Sequence, residues 1–194
     1  MGFGNDRMTP LMWAAARGHY DLVKDLVEEH KANVCSKDKF KRTPLIVAIM
    51  NGHMQIASYL LQHGAEWQFP DSSNNTPLHY AAGYGWRQGI EMLIKAGADI
   101  NAENSWRYTP INIGLLKNHI GVVKKLLEYE NVNVNGKDES GRTLISLSIV
   151  NQSDENEEFL EFLIKEKGAD PNIPDVNGLT PLHHLVKINI DTMF

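Results

Sequence analysis

The sequence predicts an all-α solenoid in which helix-turn-helix units stack in a row and are joined by hairpin loops, about five and a half units in 194 residues. Three recurring landmarks carry that prediction. Thr-Pro-Leu stands at Thr9, Thr43, Thr76 and Thr180, with Thr-Pro-Ile at Thr109 and Thr-Leu-Ile at Thr143; successive threonines lie 34, 33, 33, 34 and 37 residues apart. A Gly-Ala-acid triplet keeps the same phase, at Gly64-Ala65-Glu66, Gly97-Ala98-Asp99 and Gly168-Ala169-Asp170, 21 to 25 residues after its threonine. Gly-His does the same at Gly18-His19 and Gly52-His53, with Asn118-His119 in that place further on. A fixed period of this length marks units that bury their apolar faces only against their neighbours.

Each element of the unit has a physical cause. Threonine before proline opens a helix, because the hydroxyl caps free amides and proline in the first turn has no donor to waste. Thr76-Pro77-Leu78-His79-Tyr80-Ala81-Ala82 then gives a short first helix with small residues on one side, which lets neighbouring units approach closely. Glycine at the following turn takes dihedrals that a side chain resists. A second helix follows, with apolar residues at helical spacing such as Ile90, Leu93, Ile94 and Val122, Val123, Leu126, Leu127. Gly-Ala-Asp ends it, since glycine is favoured just past a helix C-terminus. The stretch up to the next threonine, such as Asp138-Glu139-Ser140-Gly141, carries turn chemistry and reads as a hairpin tip.

These residues resemble the ankyrin repeat, and the resemblance covers essentially the whole chain. It implies one domain over 1–194, with repeats at about 5–38, 39–71, 72–104, 105–138 and 139–175 and a partial one at 176–194. The histidines at His19, His53, His79, His119 and His183 are then expected to bond adjacent loops, and Cys35, Trp67 and Trp86 to pack. Arg7, Lys41, Asn74 and Arg107 stand where the hairpin usually has glycine, which predicts irregular or strained turns. The fifth repeat lacks proline after Thr143 and gains about four residues, mostly over 152–158. That stretch reads as a lengthened inter-helix loop whose acidic residues favour the next helix N-terminus. The sixth repeat is expected to stop inside its second helix. Its apolar Ile188, Ile190, Met193 and Phe194 differ from a polar cap, and the expectation is a piece of a longer protein.

Composition narrows the function. Apolar runs such as Leu144 to Val150 are far too short to span a bilayer, and no apolar leader follows the start. A single cysteine fits a reducing compartment, so the cytoplasm, or the nucleus, is the expected location. Net charge −5 argues against non-specific nucleic-acid binding. No phosphate loop, His-Glu-x-x-His, paired-cysteine motif or Gly-x-Ser-x-Gly is present in the sequence. Gly83-Tyr84-Gly85 follows a helix rather than a strand, which is the wrong context for a dinucleotide. His183-His184 has no further ligand at zinc spacing. The expectation is therefore a non-catalytic, monomeric module with no cofactor and no metal.

The resemblance also implies that a partner meets the concave face, formed by the hairpin tips and the first helices. Tip positions include Lys39, Phe40 and Arg42, Ser72, Ser73 and Asn75, Ser105, Trp106 and Tyr108, and Glu139, Ser140 and Arg142. Outward first-helix positions include Trp13, Ala16, Arg17, Val47, Met50, Asn51, Tyr80, Tyr84, Ile113, Leu116 and Lys117. The candidate contacts are Trp13, Arg17, Phe40, Arg42, Met50, Tyr80, Tyr84, Trp106, Tyr108, Lys117 and Arg142. Tyr80, Tyr84, Trp106 and Tyr108 gather on the third and fourth repeats, and such rings dominate binding energy because they bury large area with few rotors. The cations lean the same face basic, which points to another protein or an extended peptide with acidic residues and apolar anchors. Two alternatives are an aromatic cage for methylated lysine and the regulatory or substrate-recruiting arm of an enzyme or channel.

Overall fold

The computed structural model describes residues 6–150 and 156–191, with side chains over 6–150 and 158–186. The described helices come in pairs: α1 (Pro10–Arg17) with α2 (Tyr20–Glu28), α3 (Pro44–Met50) with α4 (Met54–Gln62), and α5 (Pro77–Gly83) with α6 (Arg87–Lys95). They continue with α7 (Pro110–Leu116) and α8 (Ile120–Leu126), then α9 (Leu144–Val150) and α10 (Asn156–Lys165), and end with α11 (Pro181–Asp191). No strand occurs among the described residues. First helices stack on first helices along the row, α1 on α3, α3 on α5, α5 on α7, α7 on α9 and α9 on α11. Their leucines, isoleucines and alanines join those of the second helices in one continuous apolar core, which includes Trp86. None of the described helices is long and apolar enough to cross a membrane.

The threonine period works as caps. Thr9 Oγ1 accepts from the Met12 amide and Thr43 Oγ1 from the Ile46 amide, both at 3.3 Å. Such a cap contributes about 1 kcal/mol. In α5 and α7 the device is reciprocal. Thr76 N–H reaches His79 Nδ1 at 3.1 Å, and Thr109 N–H reaches Asn112 Oδ1 at 2.9 Å. The fifth unit departs from this: buried Thr143 Oγ1 and Ser146 Oγ have no hydrogen-bond partner among the described residues.

The turn histidines tie units together. His53 Nε2 lies 3.2 Å from Ala16 O and His119 Nε2 lies 3.0 Å from Gly83 O, each one unit back. Gly18, at φ 74°, is needed there twice over, since a Cβ would also come within 2.5 Å of the His53 ring. In the third unit Trp86 replaces the turn histidine and folds over Gly89, where a Cβ would sit 2.0 Å from the indole. Trp86 is buried and Trp67 packs against the core, as expected.

The hairpins lacking glycine do carry strain: Arg7, Lys41, Asn74 and Arg107 have φ of 53°, 60°, 60° and 58°. In the sixth unit the expected turn into a second helix is not made, and α11 runs on to Asp191. Where the first, second and fourth units place Gly-His or Asn-His, this one has Asn189-Ile190, with neither a glycine nor a histidine to tie the turn back. Met193, Phe194 and most of the inserted stretch lie outside the described residues. Helix α10 starts at Asn156, so Glu157 and Glu158 do stand in its first turn.

Candidate protein-binding surface

The hairpins are organised by a second period. Asp38, Asp71, Asn104, Asp138 and Asp175 stand five residues before successive threonines. Asp38 Oδ1 accepts from the amides of Phe40 (2.9 Å) and Arg42 (2.8 Å). Asp71 repeats this with Ser73 and Asn75, both at 2.8 Å. Asn104 does so with Trp106 and Tyr108, both at 3.0 Å, and Asp138 with Ser140 (2.9 Å) and Arg142 (2.8 Å). A buried oxygen that accepts twice fixes the loop and compensates part of the left-handed strain.

Neighbouring tips are then linked through the backbone. Ser72 N–H donates to Phe40 O (2.8 Å), Ser105 N–H to Ser73 O (3.0 Å) and Glu139 N–H to Trp106 O (3.1 Å). The tip residues consequently form an ordered row beside the first helices.

The remaining oxygen of each organiser decides what the tip shows. Arg42 Nε and Nη2 hold Asp38 Oδ2 at 2.7 and 2.6 Å, and Arg142 holds Asp138 Oδ2 at 2.9 Å from both nitrogens. Arg142 Nη2 also donates to the Tyr108 hydroxyl at 2.9 Å. Lys39 pairs with Asp6. The basic lean expected from the sequence is therefore mostly neutralised from within. Lys117 is exposed without a carboxylate partner among the described residues, and exposed Arg17 lies 5.8 Å from the Trp13 ring.

In the third unit the Tyr80 hydroxyl donates to Asp71 Oδ2 at 2.7 Å. Burial, and then the Asp71 carboxylate, push the Tyr80 phenol well above its ordinary value. Its ring stacks with Tyr84 at 6.4 Å between centroids. Between α5 and α7 a groove of about 350 Å³ opens, lined by Asn75, His79, Tyr80, Gly83, Tyr84, Ile113 and Lys117. His79 is buried and neutral in geometry. Its Nδ1 accepts from Thr76 and its Nε2–H donates to Tyr108 O at 2.9 Å, so it joins the groove to the Trp106 hairpin.

Tyr80, Tyr84 and Lys117 thus share one groove, with Trp106 and half-buried Tyr108 on the hairpin beside it. Trp106 is 48% exposed and Tyr84 49%. Trp13, Arg17, Phe40 and Arg42 lie towards the N-terminal end, where Lys39 and Arg42 cover the Phe40 ring at 4.8 and 4.7 Å. Met50 is half-buried, and Val47, read as outward, is 3% exposed because it packs inside the row of first helices.

A family model described as ankyrin repeats (3 copies) matches residues 11–104. Over 127 residues the chain is 34% identical to the cyclin-dependent kinase inhibitor 2A of Monodelphis domestica, covering 65% of this chain and 71% of that protein. The chain belongs to the ankyrin-repeat proteins. This ankyrin array is also 42% identical over 189 residues to the Poly [ADP-ribose] polymerase tankyrase of Caenorhabditis elegans, covering 93% of the array but 8% of the tankyrase. It is 28% identical over 174 residues to the nuclear factor NF-kappa-B p105 subunit of Gallus gallus, covering 85% of the array and 17% of p105. Ankyrin repeats are in general protein-interaction modules and as a family are non-catalytic.

Proposed function

We propose that the array binds a partner protein through an extended segment laid along the concave row, centred on the third and fourth repeats. The observation that supports this most is the groove between α5 and α7 beside the exposed Trp106 and Tyr84. Trp106 stands on a hairpin whose amides are held by Asn104, and Tyr84 caps the end of α5, so both present large rings that bury much area with few rotors. The array contributes recognition and no chemistry of its own. In a longer protein it would serve as a recruiting or regulatory arm, a reading favoured by the small share of the tankyrase and p105 that it spans. The cytoplasm or nucleus is the proposed setting, and the segment is taken to be acidic with apolar anchors.

The test is selection of binders with the wild-type array, followed by affinity measurement against Trp106→Ala and Tyr84→Ala. Both residues are exposed, so circular dichroism should be unchanged. Each substitution is expected to weaken binding by about 30-fold, the scale of a hot-spot ring. Unchanged affinity in the double variant would remove this face from consideration.

A further inference from the structure

The groove between α5 and α7 has an unusual polar account. Asn75 gives its amide to Asp71 at 3.1 Å, and its oxygen accepts from Asn104 at 2.8 Å. The two nitrogens of His79 are engaged by Thr76 and Tyr108, and the Tyr80 hydroxyl by Asp71. Two groups of the lining are left over: the Lys117 ammonium and the Tyr84 hydroxyl, neither with a hydrogen-bond partner among the described residues. The rest is apolar, from the two tyrosine rings and Ile113, with Gly83 keeping the floor open; a Cβ there would press on Ile113 Cγ2 at 3.0 Å. A polar ligand group entering elsewhere would lose its water and find no partner, which makes the groove selective for apolar surface accompanied by one anion.

The spacing adds a register. Ile113 on α7 and Lys117, its C-cap, are four residues apart, which places their Cβ atoms about 6 Å apart. In an extended segment, residues i and i+2 point the same way about 6.7 Å apart, whereas i and i+1 point to opposite faces. Resting on the concave-face reading above, we infer that the groove takes an apolar side chain against Tyr84 and Ile113 together with an Asp or Glu two residues away against Lys117. The carboxylate belongs to a residue inside the segment. The hairpin row continues on both sides of the groove, towards Phe40 and towards Glu139, so the chain passes through rather than ending there.

A displayed library of random twelve-residue peptides, selected separately on the wild-type array and on Lys117→Glu, tests this. Lys117 is exposed at the end of α7, and the variant should fold as the wild type does. Wild-type binders are expected to be enriched in an apolar residue two positions from Asp or Glu, and Lys117→Glu binders in the same spacing with Lys or Arg. For a selected peptide, Glu→Gln should weaken binding about fivefold at low salt. The difference should shrink at about 0.5 M NaCl, and Glu→Lys should regain affinity on Lys117→Glu. Binders that depend on Trp106 and Tyr84 but show no carboxylate preference, or that use only a C-terminal carboxylate, would overturn the inference and leave the concave site standing. A selection that yields no peptide sensitive to Trp106→Ala and Tyr84→Ala overturns both.

Discussion

The flanking hairpins, at Asp38 and Asp138, and the central ones, at Asp71 and Asn104, share a backbone but close it with different side chains. In the flanks an arginine four residues on clamps the carboxylate with two nitrogens. In the centre Asp71 is closed by Asn75 and Tyr80, and Asn104, which carries no charge, spends its amide on Asn75. The loop geometry therefore needs an oxygen acceptor and not an ion pair. Replacing the ionic clamp with neutral groups leaves the central hairpins without a guanidinium at that place, beside the exposed rings of Trp106 and Tyr84. The difference separates what holds a hairpin from what the hairpin presents.

The largest effect should come from breaking a flank. Asp138→Ala leaves two loop amides and the Arg142 guanidinium without their acceptor and is expected to destabilise by about 3 kcal/mol, measured by urea unfolding. Arg142 is partly exposed, which keeps the figure at the lower end of that class. Transplanting the flank chemistry into the centre sharpens the contrast. Asn104→Asp should cost about 1–2 kcal/mol, because a donor is lost and a carboxylate then faces the Asn75 oxygen. Adding Tyr108→Arg should recover part of that stability while weakening partner binding. If Asn104→Asp alone were neutral, the neutral and ionic closures would be equivalent.

A smaller effect depends on pH. Burial holds the His79 imidazole below its ordinary value, with the Tyr108 carbonyl, Asp71 and Asp99 opposing only in part. The folded state thus binds the proton less readily than the unfolded one. The stability from neutral His79 is complete above about pH 6.5 and is lost as the pH falls through the lower folded value. Thermal melts should show that acid loss in the wild type and a flatter profile in His79→Asn, which imitates Asn112 but gives up the link to Tyr108. Equal acid slopes would assign the loss to other groups. The smallest effect is expected at Arg107, held at φ 58°. Arg107→Gly should stabilise by about 0.5–1 kcal/mol by relieving strain, since the exposed pair with Glu103 that it removes is worth little.

The threonine period, the caps and the strained turns were legible because each rests on local chemistry at a fixed offset. The missing glycines at Lys41, Asn74 and Arg107 mark irregular or strained turns, and all three hold a positive φ. What the sequence reading lost was the role of Asp38, Asp71, Asn104 and Asp138, although they recur in step with the threonines. Only Asp138 stands out in sequence as part of a turn, and without the organising carboxylates Arg42 and Arg142 read as cations facing a partner. An ion pair four residues apart is a familiar helix contact, but across a hairpin it depends on a loop conformation that only the structure supplies. The run of α11 through the expected turn was missed for a related reason. A lone asparagine turns the chain at Asn118, where His119 ties it to Gly83, and Asn189 has no such histidine after it.

The groove belongs to no single repeat: α5 supplies one wall and α7 the other. A ligand seated there acts as an added coupling between two adjacent units of a linear array. Lengthening the array at either end would leave its affinity untouched, while inserting one repeat between the third and fourth would abolish the site even though every lining residue survived. On the proposed reading, recognition would be a property of the order of the repeats, encoded at a junction rather than in a module.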